Sequence, residues 1–338
     1  MDKKLVQSVA GAGKTTYIVD SLSLDNRVGI ITYTIANQQS LTDMIIDRFG
    51  TVPSNIHVFG FWQFIYGFCL VPNISALPKG IIFDQKIIST EQKKRRQKGY
   101  GTNGYFFSNM ISKYLIDEKV GYIERIEYFF DELYVDEVQD FNSYDIDWIC
   151  SLAKAKIRVC LMGDYFQRTF LTSVSGNKSK GITKNFNTFK KAYEDAGYEI
   201  DEDMLVTSYR CSKNICEFIR NKLEINIQPN RKNIDAEVQF VSDADSIRTL
   251  LLDDDVKKLF YQKHYSYKCN SINWGESKGL TFIDICVVLN GSTYKEFKAD
   301  TLKNLAVTTK AKFYVACTRA RRNVYFIDEK SIPNDFVI

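Results

Sequence analysis

The sequence is poor in the residues that build metal centres and in runs that cross membranes. Among its 338 residues there are two histidines, and the eight cysteines form no C-x-x-C pair. A zinc site is therefore not expected, because structural zinc needs clustered cysteine or histidine ligands. No apolar run approaches the roughly 18 residues that a membrane helix requires. We expect a cytoplasmic chain with reduced thiols and no membrane partner.

A strong excess of charge of one sign is also lacking. The chain has 45 Lys and Arg against 41 Asp and Glu, a formal net charge of +4. This balance does not by itself indicate nucleic-acid binding, which depends on local clustering. Aromatic residues are abundant, with 23 Phe and 20 Tyr, and compositional bias explains most of them more simply than base stacking does. The length suits two domains rather than one.

Short apolar runs recur along the chain, each followed by a polar turn and a helical stretch. Several show no in-out alternation, which is typical of strands buried on both faces of a parallel sheet. The pattern predicts an α/β fold with parallel sheets. The runs are Leu5–Val9, Val28–Thr32, Glu132–Val135, Ile157–Met162, Val238–Val241 and Asp284–Leu289.

Two stretches interrupt this alternation. Residues from about 61 to 130 are aromatic and helical in pattern, which predicts a helical insertion in the first domain. The segment from Thr172 to Lys184 is rich in Ser, Gly and Lys and predicts an exposed loop. The insertion carries a basic run that either contacts phosphates or is a solvated helix face. The run consists of Lys93, Lys94, Arg95, Arg96 and Lys98.

A glycine-bearing turn follows the first apolar run, in the segment LVQSVAGAGKTTYIV. It satisfies the pattern G-x-G-K-T, with Ser8 where the longer phosphate-loop pattern has its first glycine. The two glycines let backbone N–H groups approach phosphate oxygens, and the helix that follows presents its positive end. Lys14 would neutralise the β- and γ-phosphates, and the Thr15 hydroxyl would bind Mg²⁺. The residues expected around the nucleotide are Gly11, Ala12, Gly13, Lys14, Thr15 and Thr16.

An acidic pair ends another apolar run, in ELYVDEVQD. Asp136 and Glu137 stand at the carboxyl end of a predicted strand, where open α/β sheets bind their ligands. Adjacent acids on a surface helix are usually only solvated, but two carboxylates that end a buried strand need a compensating partner. We therefore expect Asp136 to hold Mg²⁺ and Glu137 to activate the attacking water.

Together, GAGKTT and DEVQD resemble the UvrD/Rep-type branch of superfamily 1 helicases, whose further motifs occur here in the same order. VGIITYTIANQQSLTDMI resembles a motif that contacts single-stranded DNA, which implies Thr32, Tyr33 and Thr34 as contacts. VFGFWQF stands at the place of a second such motif, with Gly60 and Trp62 replacing the usual threonine and histidine. Trp62 would either stack on a base or fill a core.

Two later segments resemble motifs that sense the nucleotide. CLMGDYFQRTF resembles the motif that couples hydrolysis to DNA. Gln167 stands at the position of the γ-phosphate sensor, and Phe170 where an aromatic ring meets a base. LVTSYRCSKNI resembles the first motif of the second domain, which implies that Tyr209 stacks on adenine and that Arg210 reaches the γ-phosphate.

WGESKGLTFIDICVVL and FYVACTRARRNVYFI resemble the last two motifs. They place Gly279 on a loop at the nucleotide and Arg319 as the arginine finger. A fixed guanidinium stabilises the negative charge that spreads over the γ-oxygens during phosphoryl transfer. The catalytic set that the resemblance implies is Lys14, Asp136, Glu137, Gln167, Arg210 and Arg319.

The resemblance implies two tandem RecA-like P-loop NTPase domains, residues 1–205 and 206–338. ATP and Mg²⁺ would be the cofactors, and hydrolysis would take place at the cleft between the domains. Closure and reopening of that cleft would move the protein along single-stranded DNA. The polarity that this branch of the family implies is 3′ to 5′.

The resemblance also has gaps. No glutamine motif stands upstream of the phosphate loop, so preference for ATP depends mainly on Tyr209. About seventy residues separate Arg210 from Gly279, too few for the large accessory insertion of full-size relatives. The chain is then either a reduced translocase, alone or with a replication or repair factor, or a nucleic-acid-sensing subunit that gates a partner nuclease. An RNA motor is a third alternative.

Overall fold

The computed structural model describes residues 2–94, 99–169, 181–182, 185–231 and 236–338. Strands and helices alternate through most of this range, and the predicted α/β fold is confirmed. The strands are β1 (Lys3–Ser8), β2 (Val28–Thr32), β3 (Ile56–Gly60), β4 (Gly80–Ile82), β5 (Gly101–Thr102), β6 (Tyr105–Phe107), β7 (Glu132–Val135), β8 (Arg158–Gly163), β9 (Glu199–Leu205), β10 (Thr207–Ser212), β11 (Gln228–Arg231), β12 (Val238–Phe240), β13 (Val256–Phe260), β14 (Ser271–Asn273), β15 (Asp284–Leu289) and β16 (Val324–Asp328). The longer helices are α1 (Lys14–Ser21), α2 (Ile35–Phe49), α3 (Gln85–Lys94), α4 (Ile111–Asp117), α5 (Tyr122–Phe129), α6 (Tyr144–Ser151), α7 (Phe186–Ala196), α8 (Lys213–Leu223), α9 (Ala244–Leu252), α10 (Gly291–Lys298) and α11 (Val307–Cys317).

The largest sheet has six strands in the order β3-β2-β7-β8-β1-β9. From β3 to β8 the neighbouring strands pair in parallel. Strands β2 and β7 are buried along their whole length, as expected for strands covered on both faces. Both coincide with the predicted runs, whereas the runs predicted at Leu5–Val9 and Ile157–Met162 are offset by one or two residues from β1 and β8.

A second sheet has five strands in the order β12-β16-β15-β13-β14, and all its pairs are parallel. Strand β15 is buried throughout and coincides with the predicted run Asp284–Leu289. Strand β12, also predicted, lies at the sheet edge, and none of its residues is buried. Strands β10 and β11 form a separate parallel pair.

Helix α2 shows how local sequence sets the limits of an element. Its N-cap is Thr34, whose side-chain oxygen accepts a hydrogen bond from the Asn37 N–H at 3.1 Å. Its C-cap is Gly50, which has a φ of 78°. A short polar residue before the helix and a glycine after it are the usual signals for these two ends.

The predicted insertion contains helices α3, α4 and α5, a π-helical segment at Gln63–Leu70 and a small sheet. The sheet has the order β4-β6-β5 and was not expected. A small core of Ile88, Phe107 and Met110 holds part of the insertion together. Of the basic run, Arg95, Arg96 and Lys98 lie outside the described residues, as does most of the predicted loop from Thr172 to Lys184.

The chain divides into two compact units. The first comprises residues 2–6, 15–163 and the described part of 171–201. The second comprises Gln7–Lys14, residues 164–169 and Glu202–Ile338. This division differs from the predicted limits of 1–205 and 206–338 because two motif loops group with the second unit. The reason is apolar packing, since Val9, Ala10 and Ala12 belong to that unit's main core. Within the described residues, no helix combines the length and apolarity needed to span a bilayer.

Candidate nucleotide site

The phosphate-loop motif forms a tight turn between β1 and α1. Gly11 and Gly13 have φ angles of 72° and 80°, in the left-handed region that favours glycine. Such backbone turns its N–H groups toward one side of the loop. Lys14 opens α1, whose buried residues are Ile18 and Val19. The geometry is that of an anion-binding loop at a helix N-terminus.

Gly11 lies directly against Arg210 in the second unit. A Cβ placed on Gly11 would stand 2.6 Å from the Cβ of Arg210 and 3.0 Å from the Ser208 hydroxyl. The carbonyl of Gly11 accepts a hydrogen bond from the Tyr209 N–H at 2.8 Å. The Ser208 hydroxyl donates to the Ala10 carbonyl at 2.7 Å. Only glycine fits at position 11, and the segment that carries Arg210 is fixed to the loop by hydrogen bonds.

Arg319 is 1% exposed, and each of its three side-chain nitrogens donates a hydrogen bond. Its Nε donates to the Val315 carbonyl at 2.9 Å, and one terminal nitrogen donates to the Leu280 carbonyl at 3.3 Å. The other donates to the Thr318 hydroxyl at 3.2 Å and to Gln167 Oε1 at 3.4 Å. Burial, followed by the repulsion of Arg210, lowers the pKa of Arg319 to about 10. The group stays charged at neutral pH.

Arg210 is the second cation of this site. Burial lowers its pKa as well, and its guanidinium donates to the Thr318 carbonyl at 3.3 Å. Two guanidinium groups that lose hydration and repel each other cost free energy unless an anion joins them. A polyphosphate is the ligand that would offset this cost.

Gln167 and Asp164 lie in the 164–169 loop and are both buried. The amide nitrogen of Gln167 donates to Asp164 Oδ2 at 2.8 Å, which leaves its oxygen for Arg319. The structure thus brings the predicted sensor Gln167 and the predicted finger Arg319 into direct contact.

Tyr209 and Gly279 differ in how they are placed. Tyr209 is 58% exposed, so its side chain is not enclosed in the core. Gly279 has a φ of 87° and open space around its Cβ position. It precedes Leu280, the residue whose carbonyl binds Arg319. Gly279 therefore shapes the turn beside the arginine.

Asp136 and Glu137 belong to the first unit and follow β7 as predicted. Asp136 is buried, and its Oδ1 accepts a hydrogen bond from the Glu137 N–H at 2.9 Å. Glu137 has a φ of 54°, an uncommon left-handed conformation for a non-glycine residue. Its carboxylate accepts a hydrogen bond from the Gln139 amide. Strained backbone of this kind is found more often at functional sites than elsewhere.

The residues for Mg²⁺ are chemically suitable. A buried carboxylate at a strand end, Asp136, and a hydroxyl in the first turn of a helix, Thr15, are hard oxygen ligands. Mg²⁺ keeps several waters and substrate phosphates in its shell, so two protein oxygens suffice. Among the described residues, no cluster of three or more His, Cys, Asp or Glu could hold a metal ion.

The predicted nucleic-acid contacts have different exposures. Thr32 is fully buried, so its side chain has no exposed surface that a nucleic-acid strand could contact in this conformation. Tyr33 is half-buried and stacks on Phe61 with ring centroids 5.9 Å apart. Thr34 is exposed, and its hydroxyl caps α2.

Trp62 is half-buried, with its ring 5.2 Å from that of Phe83. Phe170 lies outside the described residues.

Several residues that support the predicted ones were not themselves predicted from the sequence. Asp164 and Ser208 connect the loops, and Gln139 supports Glu137. Gly163, at the end of β8, leaves room for Gln139, because a Cβ there would collide with the Gln139 oxygen. Gln7 contacts the 164–169 loop, since its side-chain oxygen accepts a hydrogen bond from the Tyr165 N–H at 3.2 Å. All five lie within the sequence motifs described above, so their membership of a motif was the one signal that could have identified them.

No family model and no curated protein matches the sequence. Solved structures do match. The complex of arterivirus nonstructural protein 10, a helicase, with DNA aligns with a TM-score of 0.52 at 16% identity, over 97% of this chain and 61% of that one. The helicase of PRRSV aligns at 0.48 and 14%, over 99% and 54%. Another arterivirus nonstructural protein 10 structure aligns at 0.47 and 16%, over 96% and 59%.

The chain therefore has the fold of a helicase with tandem RecA-like domains, as predicted. It spans between 54% and 61% of the length of these three structures. At these levels of identity the likeness concerns the fold and does not identify substrates or partners.

Proposed function

We propose that this chain is an ATP-hydrolysing motor of the superfamily 1 helicase kind that acts on single-stranded DNA. The observation that carries the proposal is a pair of guanidinium groups, the buried Arg319 and the half-buried Arg210, assembled with the glycine turn and Gln167. A cationic site built around a phosphate loop suits a nucleoside triphosphate. The helicase fold of the chain is consistent with this use.

The residues divide the work of phosphoryl transfer. Backbone N–H groups of Gly11–Lys14 would cradle the phosphates, and the ammonium of Lys14 would neutralise the β- and γ-oxygens. Thr15 and Asp136 would hold Mg²⁺, which supplies charge neutralisation of the phosphates when bound. Glu137 would accept the proton of the attacking water.

The second unit would supply the transition-state charge. Arg319 would stabilise the γ-oxygens as the finger, with Arg210 beside it and Gln167 sensing the γ-phosphate. Tyr209 would hold the adenine by stacking, which makes ATP the proposed nucleotide. Removal of the γ-phosphate would change the interactions of Gln167 and so couple hydrolysis to movement.

The proposed track is single-stranded DNA, with Tyr33, Thr34 and Trp62 as contacts. The DNA complex of the arterivirus protein supports a nucleic-acid track without deciding its type. The UvrD/Rep-type assignment, and with it the 3′ to 5′ polarity, rests on the motifs of the sequence. The short segment between Arg210 and Gly279 favours a second candidate, a nucleic-acid-sensing ATPase that gates a partner nuclease.

Steady-state ATPase rates of the purified chain would test the proposal. They are measured alone and with single-stranded DNA, single-stranded RNA or duplex DNA at equal nucleotide concentration. We expect single-stranded DNA to stimulate turnover most. Equal turnover with all of them would favour the partner-gated ATPase, and RNA-specific stimulation would move the proposal to an RNA motor. No turnover under any condition would overturn it.

A further inference from the structure

One tyrosine hydroxyl joins the phosphate loop to the loop that carries Gln167. Tyr314 lies fully buried on α11. Its hydroxyl accepts a hydrogen bond from the Ala10 N–H at 2.9 Å and donates one to Asp164 Oδ2 at 3.2 Å. A tyrosine hydroxyl has a single proton, so these roles are fixed by the two partners. All three residues belong to the second unit.

Asp164 extends this connection to the arginine. The Oδ2 that receives the tyrosine proton also accepts from the Gln167 amide at 2.8 Å. The oxygen of that amide accepts from Arg319 at 3.4 Å. A continuous path of hydrogen bonds thus runs from the backbone of the phosphate loop to the guanidinium, and every residue on it is buried.

The Tyr314 hydroxyl is in the protonation state that donation to Asp164 requires. Burial raises the pKa of Tyr314 well above its ordinary value, so the hydroxyl keeps its proton at neutral pH and can donate. Asp164 is completely buried, and it also accepts from the Phe166 N–H at 3.0 Å. A buried carboxylate needs such donors. In a water-free interior, hydrogen bonds also polarise one another.

The hydroxyl is separable from the packing of the ring. The ring of Tyr314 belongs to the main core of the second unit and contacts Phe166 edge-on, with centroids 6.2 Å apart. A phenylalanine fills the same volume. If the tyrosine were only a core residue, loss of its hydroxyl would cost stability and leave catalysis unchanged.

We propose that Tyr314 is a positioning residue whose hydroxyl fixes the phosphate loop relative to Arg319 through Asp164 and Gln167. This inference rests on the proposed ATPase function. The hydroxyl is buried and bonded to Ala10 and Asp164, so its effect falls on the placement of the arginine.

The test compares Tyr314→Phe with a matched loss of a buried hydroxyl elsewhere. Tyr198 lies in the first unit, and its buried hydroxyl donates to the Ile149 carbonyl at 3.0 Å. We expect Tyr314→Phe to lower kcat by about tenfold, while the affinity for ATP changes by less than about threefold. Tyr198→Phe should lower the melting temperature and leave kcat unchanged.

A double variant separates positioning from general loosening. Gln167→Ala breaks the path at its next link, so Tyr314→Phe added to it should slow kcat no further. Full additivity of the two changes would overturn the inference, as would an unchanged kcat in Tyr314→Phe. If the wild-type chain hydrolyses ATP and Gln167→Ala slows it, these results bear on Tyr314 alone. A wild-type chain without turnover would overturn the inference together with the proposed function.

Discussion

The Cβ of Arg210 stands 2.6 Å from the point that a Cβ on Gly11 would occupy. No pair of real side chains tolerates that distance, so the arginine segment and the phosphate loop can be this close only because position 11 has no side chain. The carbonyl of Gly11 also accepts a hydrogen bond from the Tyr209 N–H at 2.8 Å. The close approach is therefore a built feature of the candidate nucleotide site.

Gly11→Ala should strongly weaken the binding of ATP. The added methyl collides with the Cβ of Arg210, and the φ of 72° costs a further 1–2 kcal/mol, roughly, for any residue with a Cβ. We expect at least a tenfold loss of ATP affinity, roughly, measured with a fluorescent ATP analogue. Gly50→Ala is the control, because Gly50 has a φ of 78° and nothing within 4 Å of its Cβ position. It should lose stability alone, and equal behaviour of both variants would contradict the assignment.

Glu137→Gln should separate binding from hydrolysis. The amide keeps the size of the side chain and cannot accept a proton, so we expect kcat to fall by roughly 10²–10⁴ while ATP and DNA still bind. Lys14→Ala should instead lose ATP affinity, since it removes the charge at the phosphates. Single-turnover hydrolysis and equilibrium binding distinguish the two. Normal turnover by Glu137→Gln would show that the base is another residue.

Arg319→Lys should lower kcat by roughly 10³ or more, because lysine keeps the charge and loses the planar fork that bonds Gln167, Thr318 and two carbonyls. The affinity for ATP should change less than tenfold. Arg27→Lys provides the matched control at an exposed ion pair with Asp131. A variant at 319 with kcat within threefold of wild type would be incompatible with a finger.

Trp62→Ala should weaken the binding of single-stranded DNA. The ATPase activity measured without DNA should not change. Loss of one base-stacking ring is worth about 1–3 kcal/mol, or about 5- to 150-fold in the dissociation constant. Trp62→Phe keeps an aromatic face and should recover most of the affinity. Fluorescence anisotropy with a labelled oligonucleotide measures both. Unchanged binding in the alanine variant would assign Trp62 to packing against Phe61 and Phe83.

The stability of the chain should depend on pH through Asp145. This carboxyl is buried, and burial raises its pKa to about 7 despite a hydrogen bond from Ser112. Between about pH 4 and pH 7 the folded state keeps a proton that the unfolded chain releases, so the free energy of unfolding falls as the pH rises through this range. Asp145→Asn mimics the neutral acid and should remove this loss.

Chemical denaturation at two pH values tests this prediction. At pH 8 the Asp145→Asn variant should be more stable than wild type by about 1 kcal/mol or more, and at pH 4.5 the difference should be less than half as large. Asp147→Asn, in the same first turn of α6, controls for the loss of a carboxylate near a helix N-terminus. A destabilised Asp145→Asn variant at pH 8 would mean that the ionised form is preferred in the fold.

The sequence predicted the elements whose signals are local. The runs at β2, β7 and β15 were located residue for residue, because strands buried on both faces are continuously apolar. The glycine turn and the acidic pair were equally visible, since their chemistry lies in adjacent residues. The small sheet of the insertion was not, because β4, β5 and β6 have three residues or fewer and show no period.

The remaining parts of the site depend on contacts between distant positions. Tyr314 bonds a residue 304 positions away and another 150 away. On α11 its neighbours are apolar, so the sequence pattern indicates only a core position. Gln139 and Gly163 likewise depend on each other, because the Gln139 side chain occupies the space that a Cβ at position 163 would need. The burial of Thr32 could not be predicted either. The motif identifies the end of the strand but does not show which side chains point into the core.

The grouping of Gln7–Lys14 with the carboxy-terminal half has a practical consequence for dissecting the protein. A fragment that starts at residue 206 lacks Val9, Ala10 and Ala12, which fill part of its apolar interior. Such a fragment would expose a hydrophobic hollow and aggregate or unfold. Supplying the amino-terminal peptide in trans, or fusing it through a linker, should restore folding. Residues 7–14 are therefore needed to complete the apolar core of the second unit.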